Sequence, residues 1–184
     1  METDTILKFV ALLFSFAAIS KAIHEYIKAQ KWKKAEFVAK EVKEFNSSYE
    51  VIEVMKLLDL VEYEFTNTNK PFEGWILKDT DNYLKKAFDV SKMNEDTLSD
   101  HQLFTRDIFD CFFDYLLMFN NYIDTKLITV KDIKPYLHYW IDILANPENT
   151  QKTDATRNRM WDYIDKYGYK GVRSLCAKFG YKNF

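Results

Sequence analysis

Glycine and proline are scarce in this chain. Four Gly and three Pro serve 184 residues, and neither type occurs before Pro71. Nothing therefore punctuates the backbone over the whole N-terminal third. Cysteine is nearly absent too. Cys111 and Cys176 allow one disulfide and no framework, and neither sits in a CxxC motif or at ligand spacing from a histidine. The expectation is two reduced core thiols in a cytosolic domain, with no catalytic role. The short catalytic signatures are missing as well: no GxSxG, GxGxxG, GxxxxGKS/T or HExxH occurs. Their absence removes the hydrolase elbow, the dinucleotide fingerprint, the P-loop and the zincin motif. His24, His101 and His138 are far apart in sequence and form no HxH or HxxxH pair. His138, set among aromatics in "YLHYW", fits a satisfied core position better than a ligand.

What is present favours helix. Apolar residues make up 47%, charged residues 29% and aromatics 17%, a globular composition with abundant Lys, Glu, Leu and Phe. The length suits one domain plus an appendage. The net charge of −2 hides a segregation. Residues 21–44 hold seven Lys against four Glu, residues 45–148 nineteen acids against ten bases, and residues 149–184 eight bases against three acids. A basic stalk, an acidic middle and a basic tail can recruit partners or pair with one another.

From Thr5 to about Phe45 the pattern predicts one long helix, or two nearly collinear ones. It is apolar all round at first; later Ala35, Val38, Val42 and Phe45 share one face. Ser47 with Glu50 suggests a capping box for a short helix ending near Leu60. "VEYEF" alternates like a strand, and "GWILKD" offers a second, giving a small hairpin within 61–79 or an irregular excursion. A third helix, capped by Thr80 or Asp81, runs to about Val90; "SKMNEDTLSD" reads as a polar loop. A fourth spans about Leu98–Tyr122, with Phe104, Ile108, Cys111, Phe112, Tyr115 and Phe119 as its apolar stripe. Thr129 and Asp132 box the next helix, which places Pro135 in or near its first turn and ends at Asn146-Pro147. Helices at about 154–167 and 170–179 each end in Gly then Tyr, the left-handed stop.

The segment "KFVALLFSFAAISKAIHEYIKAQKWKK" opens three readings. As a transmembrane helix, Thr5–Ile23 has the length for a bilayer core, with Lys8 and Lys21 reaching the headgroups. Lipid contacts would then be Lys8, Phe9, Leu12, Leu13, Phe16, Ile19 and Lys21, followed by an interfacial, basic stretch of Lys28, Lys31, Trp32, Lys33 and Lys34. Lysines on the C-terminal flank put the N-terminus outside and the body in the cytoplasm. As a signal peptide, Ala18-Ile19-Ser20 offers a cleavage site, but two acids in the leading region oppose it. As a soluble helix, it would bury itself in a core or an oligomer.

Three further clusters carry candidate chemistry. Asp107, Asp110 and Asp114 stand at i, i+3, i+7 and would serve a divalent cation or acid–base chemistry if a fourth ligand joined them; a solvated helix face is the plainer expectation. "NYIDTKLITVKD" fails as a calcium loop, because Ile123 and Lys126 stand where an oxygen ligand and a glycine are needed. Arg157, Arg159, Lys170, Arg173 and Lys178, interleaved with aromatics, offer a basic partner surface; docking against the acidic middle explains them as well as nucleic acid does, and nucleic acid is not expected.

Through "WKKAEF", "VMKLLDL" and "IKPYLHYWIDIL" the chain resembles a group of uncharacterised bacterial proteins, cyanobacterial ones among them. That resemblance implies a hydrophobic N-terminal helix before a small helical domain and carries over no activity.

The sequence thus predicts a mainly α protein: anchor helix and stalk over 1–45, a compact helical cytoplasmic domain over 46–184, held at the inner membrane. The expected role is a non-enzymatic partner-binding or regulatory module without cofactor, contacting the membrane through residues 5–34 and self-associating, if at all, through that helix. Two alternatives stay open: a membrane-perturbing effector of a prokaryotic defence or toxin-like system, and a metal-dependent enzyme using the Asp stripe. Soluble cytoplasmic residence with the first helix buried is the alternative location.

Overall fold

The computed structural model describes residues 2–65, 74–91 and 98–182. The chain is mainly α, 77% helical. It divides into two compact units, Met1–Lys40 and Glu41–Phe184. Helix α1 (Glu2–Ser47) is uninterrupted, as the lack of breakers requires. It is followed by α2 (Tyr49–Asp59), strands β1 (Tyr63–Glu64) and β2 (Ile76–Leu77), then α3 (Thr80–Ala87), α4 (Asp100–Asp124), α5 (Val130–Ala145), α6 (Asp154–Lys166) and α7 (Lys170–Phe179).

Within 41–184, α4 is the central element. It packs on α7 and α2, while α3 lies on α6 and α5 on α7. The end of α1 belongs to this core: Val42 is buried, and Phe45 is fully enclosed, its ring 5.9, 5.5 and 5.7 Å from those of Phe112, Tyr115 and Phe119. Burying one phenylalanine this way stabilises the fold by roughly 1.5–3 kcal/mol.

The apolar stripe expected on α4 is displaced. Ile108, Phe112 and Phe119 are buried, but so are Phe109, Phe113 and Leu116, whereas Cys111 is exposed and Phe104 and Tyr115 are half-buried. At 3.6 residues per turn the buried arc is centred about a quarter-turn from the predicted one. The cause is tertiary, because α4 is covered on two sides and a single stripe describes only one shoulder of its buried arc. Cys176 is a core thiol as expected; Cys111 is not.

The strand pair is antiparallel, with Tyr63 opposite Leu77 and Glu64 opposite Ile76. It is shorter than "VEYEF" and "GWILKD" suggest. The turn within 66–73 and the polar loop at 92–97 lie outside the described residues.

Caps decide most boundaries. The α2 cap is Ser48, not Ser47, because α1 runs through Ser47 before the backbone extends. Ser48 Oγ accepts from the Val51 amide and donates to Glu50. Asp79 caps α3 through the Asn82 amide, one residue ahead of the expectation, and that helix stops at Ala87. Ser99 and Gln102 form the box for α4, and Thr129 and Asp132 the box for α5. Pro135 lies inside α5, beyond its first turn, on the exposed face where water can serve the carbonyl it leaves unpaired.

The C-terminal stops behave as the sequence implies. Gly168 (φ 84°) and Gly180 (φ 110°) are left-handed, with Tyr169 N–H donating to Ile164 O and Tyr181 N–H to Cys176 O. A third such stop uses no glycine. Lys126 ends α4 at φ 60°, with Leu127 N–H donating to Tyr122 O. A lysine in that conformation costs about 1–2 kcal/mol, partly offset because glycine loses more entropy on folding. Lys126→Gly should therefore raise stability by roughly 0.5–1 kcal/mol and Tm by a few degrees. A melt in which the variant is less stable would refute that assignment. Gly171 acts differently: a Cβ there would lie 2.5 Å from Leu117 Cδ2, so its bareness lets α7 approach α4.

Candidate functional site

Among the described residues α1 is the one helix long and apolar enough to cross a membrane. An 18-residue window within Leu7–Ser47 reaches a mean hydropathy of 1.5, and no described residue in it is buried. Leu7, Phe9, Leu12, Leu13, Phe14, Phe16, Ile19 and Ile23 are all exposed, Phe14 at 73% and Phe16 at 71%. Among the described residues of Met1–Lys40, none covers them. A signal sequence passes the same length and hydropathy test, although the helix continues without a break through Ala18-Ile19-Ser20. Lys8 pairs with Asp4 one turn back at 2.8 Å, so the charge nearest the apolar run has its counter-ion on the same helix. Lys21, Lys28, Lys31, Trp32 and Lys33 are exposed and Lys34 half-buried.

The aspartates of α4 do not converge. Asp107 and Asp114 face water, while Asp110 is half-buried and accepts from Tyr163 Oη at 2.9 and 3.0 Å. Burial raises the Asp110 pKa, the phenol contacts oppose that, and Asp107 and Asp114 add to it. Among the described residues no group of three or more His, Cys, Asp or Glu is placed to hold a metal ion. Asp110 is one case of a repeated pairing. Tyr122 donates to Glu41, Tyr63 to Glu53, Tyr139 to Asp59 and Tyr181 to Asp142. Phenols thus answer Glu53, Asp59, Asp110 and Asp142 of the middle segment, beside the cations that reach Glu53, Asp89 and Asp124.

The five basic residues of the tail are mostly engaged within the chain. Arg157 is buried and donates to the carbonyls of Pro147, Asn149 and Lys152 as well as to Asp154. Arg159 pairs with Asp89 at 3.2 Å. Arg173 pairs with Asp165 at 2.8 Å and stacks over Trp161. Lys178 donates to Asn120 and Asp124, both at 2.6 Å. Lys170 stays exposed.

Sequence reasoning missed the buried charges. Lys152 is only 3% exposed, with Nζ 3.2 Å from Thr80 Oγ1 and 3.5 Å from Leu60 O. It pins the N-terminal side of α6 to the ends of α2 and α3. Burial pushes its pKa down, against the pull of Asp81, Asp59 and Asp79. Arg106, also buried, donates to Ala87 O and Asp89 O. Glu53, buried beside Lys56 and Tyr63, is the third case. No local pattern marks any of them, since each depends on a carbonyl or phenol brought in by another element.

Among the grooves on the body, two are widely open. One, of about 620 Å³, follows α5 and is lined by Lys131, Lys134, Pro135, His138, Tyr139 and Asp142. The other, of about 370 Å³, has Cys111, Asp114, Tyr115 and Met118 beside Glu44. His138 lies on the exposed side of α5, stacked on Tyr181, and not in the core. No family model, curated protein or solved structure matches this chain.

Proposed function

We propose that the protein is a single-pass membrane-anchored module whose helical body binds a protein partner on the cytoplasmic side, without catalysis. The observation that carries this is the fully exposed apolar run of α1. Left in water, that run would be a contiguous patch of the kind soluble monomers avoid. A span from Thr5 to Ile23 measures about 28 Å as a helix, close to the hydrocarbon thickness. The lysines that follow, from Lys21 to Lys34, set the orientation, since Lys and Arg stay on the cytoplasmic side. The body then supplies a buried aromatic core and exposed grooves that a partner could use.

The native cysteines provide the test. Cys111 is exposed, and Cys176 is buried with its thiol pushed up to about 12. A membrane-impermeant maleimide should leave intact spheroplasts unlabelled and add one adduct after detergent permeabilisation. The Cys111 thiol is itself raised by burial and by Glu50, Asp114, Asp110 and Asp107, so labelling belongs at mildly alkaline pH. An adduct in intact spheroplasts would reverse the orientation. A chain that stays in the supernatant after membranes are pelleted would remove the anchor altogether.

A further inference from the structure

The lysines of α1 are unevenly spread along the helix and evenly spread around it. Residues 21–40 hold six Lys against Glu25 and Glu36, and between those two acids stand Lys28, Lys31, Lys33 and Lys34 with no acid at all. On the other side of the apolar run, Lys8 has Asp4 at 2.8 Å. Lys21, Lys28, Lys31 and Lys33 have no such partner among the described residues, although Glu25 stands within four positions of both Lys21 and Lys28. At about 100° per residue, Lys28, Lys31, Lys33 and Lys34 fall at roughly 0°, 300°, 140° and 240° around the axis.

That all-round placement selects among partners. A helix that docks in a protein groove, or lies flat on a bilayer, keeps its cations to one side. A helix that stands through a bilayer surface meets headgroups on every side. The heights agree with the second case. From Ile23 the axis rises about 8 Å to Lys28 and about 16 Å to Lys34, against a headgroup layer of roughly 5–8 Å beyond the hydrocarbon. Lysine stems lean back toward the helix N-terminus, which brings the ammonium groups nearer that layer. The remaining gap falls within a Debye length of about 8–10 Å. Tyr26 and Trp32, 65% and 70% exposed, occupy the same stretch, and amphipathic rings favour the interface.

We infer that Lys28, Lys31, Lys33 and Lys34 form a collar that binds anionic phospholipid headgroups, so that α1 selects the lipid around it. The inference rests on α1 being the anchor. It goes beyond orientation, which concerns only the side on which lysines stay. A collar of four cations also favours phosphatidylglycerol over phosphatidylcholine as a neighbour.

The test reconstitutes the full chain in vesicles of phosphatidylcholine with a minority of phosphatidylglycerol. The same mole fraction of acyl-brominated lipid is supplied as one kind or the other, and tryptophan quenching reads which lipid touches the chain. Brominated phosphatidylglycerol should quench about twofold more than brominated phosphatidylcholine, with the excess lost at high salt. Lys28→Gln/Lys31→Gln/Lys33→Gln alters exposed residues and should lose the excess while keeping the quenching by phosphatidylcholine. Arginine at the same three positions should keep both. Equal quenching by the two lipids in the native chain would overturn the collar and leave the anchor standing. An excess that survives the glutamine variant would place the contact elsewhere and also overturn it. A chain that pellets with no vesicle and is quenched by neither lipid would remove anchor and collar together. An excess erased by a little polyglutamate at unchanged salt would assign these lysines to an acidic protein, and the inference would fall.

Discussion

A chain beginning at Glu41 should fold and stay in solution, whereas one beginning at Ser48 should not fold. The two differ by a single seven-residue piece of α1. That piece contains Val42 and Phe45, both buried, and Glu41, which accepts from Tyr122 Oη at 3.0 Å. Losing the Phe45 side chain alone costs about 3–5 kcal/mol, and losing Val42 adds about 1–3. Set against a total stability of roughly 5–15 kcal/mol, the sum of about 4–8 kcal/mol is a large fraction of it. The cut also uncovers Phe112 and Phe119 to water. Circular dichroism melts of the two fragments check this. A cooperative melt from the shorter fragment would show that the end of α1 is dispensable.

Replacing Leu13 and Phe16 with arginine releases the full chain from membranes under alkaline carbonate, while Leu13→Ile with Phe16→Leu leaves it in the pellet. Both positions are exposed and lie near the middle of Thr5–Ile23. Each arginine at the centre of a span costs about 2.5–3.5 kcal/mol and forfeits the favourable term of the residue replaced, so the pair removes roughly 6–8 kcal/mol. The body should be unaffected, since both positions lie outside the compact unit Glu41–Phe184. Continued retention of the arginine variant would mean that a protein, not lipid, covers α1.

The parts of the fold written in local pattern were legible. Uninterrupted helix formers gave α1, and Gly168 and Gly180 marked the ends of α6 and α7, because a left-handed stop needs a residue without Cβ. Lys126 shows the limit of that rule: it takes the same conformation with nothing in the sequence to announce it. The rotated core face of α4 was hidden for another reason. Phe104, Cys111 and Tyr115 have the right spacing, but which shoulder of an aromatic-rich helix is buried depends on where α2 and α7 dock. At the site level, the apolar run and its following lysines were readable as chemistry. The fates of Arg157, Arg173, Lys178 and Lys152 were not, since their partners lie on other turns, loops and helices and burial is decided by assembly.

The phenol–carboxylate pairs give the body an internal optical gauge. Burial raises the pKa of Tyr49 up to about 12, helped by Glu53 and Glu50, and also raises those of Tyr63, Tyr163, Tyr169 and Tyr181, with the acceptor carboxylates adding to the shift in those four. An unfolded phenol ionises near ~10. Below that pH their contribution to stability is fully present. Above it the unfolded chain sheds protons that the folded one keeps, so stability falls as pH rises. The share of phenolate absorbance that these five tyrosines contribute should therefore appear only with the loss of helical signal, in one step. A gradual climb with the helices intact would mean that these hydroxyls are looser than the structure holds them. Otherwise a spectrophotometer and a little alkali report whether the core is closed, with no label attached.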